Sequence, residues 1–394
     1  MKTKKALIIM LLLLIVVSCN NAKNDDDDDD NDDSIDDDDS SNGGPIPTDD
    51  DAFDSINENW EWEIVDDRAD DFALALNDDN QPVIIYSKWE DLDSYKIIFA
   101  IKDDDVWQKQ LIADGLHEWR SPGLDVDVSE SGDIYLGYLD ISTDNSENEL
   151  LFGRRLNDDW NYEVVSRDVN KVSKPTLVGD NLGFSYVYNY EEENLVVWKY
   201  YNNTWNKQIV DPDAAKYVHD RDIVVKTHNN NIYLLYINTQ EDYYQNMLIY
   251  STLINDEYIE VISFNNASNP SMDIDSSGYT HLCYIENHER IIYSTDKSGV
   301  FVSITMNEEY FNWEQALAVD NNDHVHIIHS GDSLYENNAG TFYINNVSGE
   351  WKSEEIGDGP HDVIALQVDD NNVLHALLNI GGYLCHLTRE IEAE

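Results

Sequence analysis

Basic residues are scarce in this sequence: 24 Lys and Arg stand against 80 Asp and Glu in 394 residues, a formal net charge of −56. Nucleic-acid binding needs clustered cations to displace counterions from phosphates, so that class of function is excluded. Charge-driven adhesion to anionic lipid is excluded with it. Cysteine is sparse too, and three residues cannot build a disulfide scaffold. The N-terminal apolar run, Ala6–Val17, has 12 residues, too short for a spanning helix, which needs about 20. Aromatics at 11% and hydrophobic residues at 41% are, by contrast, ample for a core. Length alone suggests two or three domains, a prior that one large all-β domain overrides.

The N-terminus reads as an address. Lys2, Lys4 and Lys5 precede the apolar run, which ends in Val16-Val17-Ser18-Cys19. This resembles a bacterial lipobox, which implies cleavage after residue 18 and lipid on Cys19 in place of the lost helix. Asp25–Asp30 and further Asp through Asp39 follow. A tract of this kind buries no apolar area and is expected to be a disordered tether over residues 19–56. A flexible chain of that length spans on the order of 35 Å, and self-repulsion extends it. No Asp-x-Asp-x-Asp-Gly loop occurs in the tract, so no EF-hand geometry is available. Residues 1–54 hold 16 Asp against 4 Lys, so of the total of −56 the rest of the chain keeps −44. Such an acidic body suits a salty exterior.

From residue 57 to 394 one grammar repeats. A short strand runs into an Asp/Asn/Gly turn, a second strand ends in an aromatic, and an aromatic-led fourth strand closes each unit. The second strands end at Tyr86, Tyr138, Tyr188, Tyr236, Tyr284, His329 and Leu378, with spacings of 52, 50, 48, 48, 45 and 49 residues. Fourth strands open at Trp107, Trp160, Trp205, Tyr258, Phe301 and Trp351, one fewer than the second strands. Trp60-Glu61-Trp62-Glu63-Ile64-Val65 has the fourth-strand pattern with no unit before it. An N-terminal strand that completes the last unit closes a ring and protects its edges. The expected fold is therefore all-β: a seven-bladed β-propeller over residues 57–394, closed by its N-terminal strand. An open solenoid or a six-bladed ring are the alternatives.

The blade pattern, Asn/Asp-x-x-Gly-x-x-His-h-h-Tyr with an aromatic about 20 residues on, resembles the sialidase-like, Asp-box (BNR-type) propellers. Ser294-Thr295-Asp296-Lys297-Ser298-Gly299-Val300-Phe301 approximates the Asp-box, with its Gly one place late and Phe for Trp; Val347-Ser348-Gly349-Glu350-Trp351 is a fainter copy. Kelch double-glycine and WD signatures are absent. The acidic run behind the lipobox also resembles the export signal of surface lipoproteins of Bacteroidota. That resemblance implies an outer-membrane, lipid-anchored, cell-surface protein.

His281, His326 and His375 occupy one column of neighbouring blades, where Tyr135 and Tyr233 stand elsewhere. They read as part of the repeat, because a metal needs its ligands about 2 Å from one point. No metal or other cofactor is expected. Cys283 and Cys385 fall in non-adjacent blades and read as buried thiols. Candidate ligand-binding residues lie on the segments leading into the innermost strands: Arg120, Lys174, His219, Arg221, Trp313 and His361. In an acidic body, Arg120, Lys174 and Arg221 on three successive blades suit a carboxylate or sulfate; local pairing with Glu118, Asp220 and Asp222 is the plainer alternative. Trp89, Tyr190, Tyr243, Tyr244 and Tyr335 are candidates for stacking on sugar rings, or for loop packing.

A sialidase needs an arginine triad, and Arg120-Ser121-Pro122 echoes the start of that family, but it lies in the second blade of a ring that counts seven rather than six. His219, Arg221 and His361 supply a base and a cation of the kind a polysaccharide lyase uses. The blades are near minimum length, however, which favours binding over catalysis. The expected function is a monomeric, surface-anchored, non-catalytic propeller that binds a glycan or an envelope protein at its channel mouth and meets the membrane only through its lipid. The alternative is a lyase or glycoside hydrolase acting on acidic polysaccharide.

Overall fold

The computed structural model describes residues 56–391 apart from short internal stretches, chiefly 117–122, 141–147, 168–173, 180–184, 215–222, 240–245, 334–338 and 359–361. Cys19 and the Asp-rich tract lie outside the described residues. Among those described, no helix is long and apolar enough to cross a membrane, and the chain forms strands throughout.

The strands make seven antiparallel four-stranded sheets. Blade 1 is β2–β5 (Ala69–Leu76, Pro82–Asp91, Ser94–Asp103, Val106–Leu116), and blade 2 is β6–β9 (Leu124–Val128, Ile134–Asp140, Glu149–Leu156, Asp159–Arg167). Blade 3 is β10–β13 (Thr176–Gly179, Ser185–Glu191, Asn194–Tyr201, Thr204–Asp211), and blade 4 is β14–β17 (Ile223–His228, Asn231–Thr239, Asn246–Ile254, Glu257–Asn265). Blade 5 is β18–β21 (Ala267–Ile274, Thr280–Glu286, Arg290–Thr295, Val302–Asn307), and blade 6 is β22–β25 (Tyr310–Val319, Val325–Ser333, Ala339–Asn345, Lys352–Asp358). Blade 7 combines β26–β28 (Asp362–Val368, Val373–Ile380, Tyr383–Glu390) with β1 (Glu61–Asp67), which pairs antiparallel with β28 at the outer edge. The ring is a closed seven-bladed β-propeller, shut by its N-terminal strand as the repeat count requires.

Burial explains the two kinds of strand sequence. Second strands lie inside the ring and are apolar on both faces, as in Ile134–Asp140 and Thr280–Glu286. Outer strands such as β17 alternate between half-buried and exposed positions. Seven apolar clusters fill the seven blade interfaces. The aromatic that leads each outer strand packs against a ring of the preceding blade. Trp160 meets Phe99, Trp205 meets Phe152, Tyr258 meets Tyr188, Phe301 meets Tyr250 and Trp351 meets Tyr293. Trp60 meets Tyr343 at 5.4 Å, and Trp107 meets His386 across the closure. Such edge-on contacts add about 0.5–1.5 kcal/mol each to the area they bury.

In every blade the register slips by one residue between the third and fourth strands, twice in blade 1. A bulge at this place raises the local twist and turns the exposed edge away from intermolecular pairing. The turns between first and second strands are set by side chains. Asp275, Asp320 and Asp369 each accept two backbone N–H groups through Oδ1, from the residues two and four positions on. The fourth residue of these turns has positive φ, at Gly278 (84°), Asp323 (62°) and Asn372 (59°), so Gly or a short Asn/Asp is required there.

Candidate functional site

The innermost strands line a central channel with a cavity of about 430 Å3. Its wall carries two layers of charge. In the upper layer Lys174, just before β10, donates to Asp71 Oδ1 at 3.2 Å and to the Phe72 carbonyl at 3.1 Å, bridging blades 3 and 1. Asp125 of blade 2 accepts the Leu177 N–H at 2.8 Å. In the lower layer Asp127 accepts the Gly179 N–H at 2.8 Å, and Lys226 lies 3.7 Å from Asp273. Asp273 and Ser271 accept the N–H groups of Val319 and Leu317. These side chains satisfy innermost-strand donors that have no ladder partner, and they thereby fix one blade against the next. Thr176, Thr227, Asn269, Gln315 and Gln367 complete a wall of amides and hydroxyls.

Charge in the channel depends on pH near neutrality. Burial pushes the Asp125 carboxyl up to about 7, against the pull of Lys174 and the Leu177 N–H. Burial likewise takes Asp127 up to about 6, against the Gly179 N–H and Lys226. A carboxyl whose folded pKa is raised binds its proton more tightly folded than unfolded, so stability falls as pH rises between the two values. Asp125→Asn keeps an acceptor for Leu177 and removes that penalty. Its melting temperature should exceed that of the wild type by more at pH 8 than at pH 5. An equal offset at both pH values would refute the assignment.

Of the residues singled out from the sequence, Lys174 is in the channel wall with its charge engaged by Asp71. Trp89 is half-buried, its ring 4.3 Å from Tyr95 against the cluster between blades 1 and 2. Trp313 sits at the bulge that opens β22. Arg120, His219, Arg221 and His361 lie outside the described residues, as do Tyr243, Tyr244 and Tyr335. Of the two readings open for Tyr190, packing holds: it is fully buried in β11 and donates to the Ile237 carbonyl at 2.6 Å. Its position at the end of a second strand places it under the neighbouring blade.

The histidine column is structural. His281 Nδ1 is 2.6 Å from the Tyr293 hydroxyl and His326 Nδ1 is 2.6 Å from that of Tyr343. The other nitrogens face Asp275 and Asp320 at 3.3 and 3.4 Å. His281 and His326 are thus held within their own blades, each between the turn Asp and a third-strand Tyr, whereas His375 Nδ1 meets His386 Nε2 of the same blade at 3.0 Å. No group of three His, Cys, Asp or Glu that could hold a metal occurs among the described residues. Cys283 and Cys385 are buried free thiols, and burial pushes Cys385 up to about 12. Asp125, Asp127, Lys226 and Asp273 were not anticipated. Their signal is legible in hindsight as charge inside short apolar strands, most plainly in Leu124-Asp125-Val126-Asp127-Val128.

Fold and channel together define a closed seven-bladed propeller with a charged, hydrogen-bonding channel. No family model matches the sequence, and no curated protein matches it. Solved structures match its fold. A PL25 ulvan lyase bound to a -[GlcA(1-4)Rha3S]- unit superposes with a TM-score of 0.55 at 10% identity, covering 83% of this chain and 97% of that one. The β-propeller domain of the Trilobed protease from Pyrococcus furiosus, described as having an open velcro topology, gives 0.53 at 9% identity, with 84% and 96% covered. Aleuria aurantia lectin in complex with Fucα1-6GlcNAc gives 0.45 at 11% identity, with 68% and 91% covered.

Proposed function

We propose that this protein is a glycan-binding propeller whose ligand enters the channel mouth, held at the cell surface by lipid on Cys19 and the Asp-rich tract. The observation that carries the reading is the channel wall. A cavity of about 430 Å3 is within the usual range for a small-ligand site. Its amides, hydroxyls, carboxylates and lysines supply both donors and acceptors, which is what a polyhydroxylated ligand requires. Channel carboxylates that hold backbone N–H groups of the neighbouring blade are building the wall, which favours recognition over acid–base turnover. In this reading Arg120 and Arg221 receive an acidic group at the rim, with His219, His361, Trp313 and Trp89 around it.

The test is a glycan array with the full chain, followed by titration of the best ligand. Arg120→Ala with Arg221→Ala should weaken binding at least tenfold, as expected for loss of charge-assisted contacts of about 1.5–3 kcal/mol. Binding indifferent to both substitutions would remove the site. Incubation with ulvan, pectin and sialylated glycans should yield neither unsaturated-uronate absorbance nor new reducing ends. Either product would replace the binding reading with that of a lyase or hydrolase.

A further inference from the structure

Blade 7 differs from the other six in that its third and fourth strands, β28 and β1, come from opposite ends of the propeller sequence and are not joined by a turn. Where the other blades have a hairpin, a cavity of about 640 Å3 opens. Glu58 and Glu61 line it from the incoming chain, Arg389 from β28, and Asn345, Lys352 and Glu354 from blade 6. The approach to β1 is fixed to blade 6 by Asn57, whose N–H donates to the Ile356 carbonyl and whose amide donates to that of Glu355.

Arg389 is the central group. Its guanidinium carbon lies 4.8 Å from the Tyr343 ring centroid and 5.5 Å from that of Trp60, and Nη1 pairs with Glu354. Both rings are buried, so they hold the guanidinium in place beneath the cavity rather than presenting faces to a ligand. The Arg389 and Glu354 side chains are 21% and 30% exposed, so both remain in reach of a ligand. A guanidinium offers only donors and a carboxylate only acceptors. Side by side on a rigid base they match two adjacent hydroxyls, each of which both donates and accepts. Glu58, Glu61, Glu354 and Glu390 outnumber Lys352 and Arg389 on the wall, and this excess repels an anion.

We propose that the gap in blade 7 is a second binding site, for a neutral polyhydroxylated sugar unit whose adjacent hydroxyls are held by the Arg389–Glu354 pair. It uses no channel residue and does not rest on the reading of the channel. The site is assembled from β1, β28 and blade 6, so it exists only in the closed ring. A ligand bound there stabilises closure by mass action.

Saturation-transfer NMR and thermal shift of the full chain with the methyl glycosides of glucose, galactose, mannose and rhamnose test the proposal. At least one glycoside should bind at millimolar concentration and raise the melting temperature. Glu354→Gln, on an outer strand where the change keeps the side-chain shape, should weaken that binding at least tenfold, and Arg389→Lys should do the same. Arg120→Ala with Arg221→Ala should leave it unchanged, which separates this site from the channel mouth. Three results would overturn the proposal: no binding by any of the four glycosides, binding that survives Glu354→Gln, or methyl glucuronide binding as tightly as its neutral counterpart.

Discussion

Deleting residues 57–67 is expected to abolish the cooperative thermal unfolding of the propeller. The deletion removes the outer strand of blade 7 and leaves the edge of β28 without a partner. It removes Trp60 and Val65, both buried, from the interfaces of blade 7 with blades 6 and 1. It also removes an ionic seam. Asp66 accepts from the Tyr86 hydroxyl and Lys88, each at 2.5 Å, and from Lys109 at 2.8 Å; Glu63 pairs with Lys102 at 2.7 Å. Three of the few basic residues in the body are thus spent on one junction. Burial raises Asp66, but the hydrogen bonds from Lys109, Lys88 and Tyr86 outweigh it and hold the carboxyl well below its usual range. Truncating Trp60 alone to Ala should cost about 3–5 kcal/mol, a large share of the 5–15 kcal/mol typical of a folded domain. Circular dichroism against temperature measures both variants, and a peptide of residues 57–67 added in trans should restore the transition. A deleted protein that melts with the wild-type midpoint would show that closure is not what holds the ring.

The second large effect is acid unfolding centred on blades 5 to 7. His281, His326, His329, His375 and His386 are buried there. Burial lowers all five, His329 to about 3 and His375 to about 4. A histidine that stays neutral when folded and titrates near 6.5 when unfolded stabilises the fold above pH 6.5, and that stability is lost as pH falls toward the folded value. A shift from 6.5 to about 4 corresponds to about 3 kcal/mol for His375 alone. Asp320 acts at lower pH. Burial raises it, but hydrogen bonds from His326 and His324 bring it to about 2, so its contribution is lost only as pH falls from 3.8 toward 2. The raised carboxyls Asp125 and Asp127 oppose the trend, gaining stability on acidification. Histidines outnumber them, so urea denaturation should show stability falling steeply from pH 6.5 to 4.

His375 is the test position. Its Nδ1 lies 3.0 Å from His386 Nε2, and His386 Nδ1 lies 3.0 Å from Glu63. With Glu63 ionised, His386 donates to it and His375 donates to His386, which leaves His375 Nε2 bare, 3.8 Å from Asp369. His375→Gln should reduce the slope of stability against pH by up to about 1.4 kcal/mol per pH unit, the equivalent of one proton. Amide exchange at pH 5 should rise first in blades 5 to 7. Exchange that rises first in blades 1 to 4, or a slope that His375→Gln leaves unchanged, would contradict this account.

Much of the architecture was legible because the repeat checks itself. Seven second strands against six following fourth strands left one strand to find, and Trp60–Val65 supplied it. Trp60 also takes the place in the seventh blade that Trp107, Trp160 and Trp351 take in theirs, which is why its aromatic lead identified it. The histidine column read as part of the repeat, and in the structure His281, His326 and His375 each meet a side chain of their own blade. Tyr190 stayed open between stacking and packing because the end of a second strand looks like a loop in sequence, while the next blade covers it in space.

The sequence by itself determined the strand grammar, the blade count, the means of closure and the sign of the surface charge. All of these follow from local period, turn chemistry and composition. Only the tertiary structure decided which charges meet. Lys174 reaches Asp71 from 103 positions away, and Arg389 comes to lie over Tyr343 and Trp60. Ring closure brings together residues from different blades, and no period along the chain encodes those distances. The gap at blade 7 was hidden for the same reason. Its walls come from both ends of the propeller, and they become neighbours only when β1 pairs with β28.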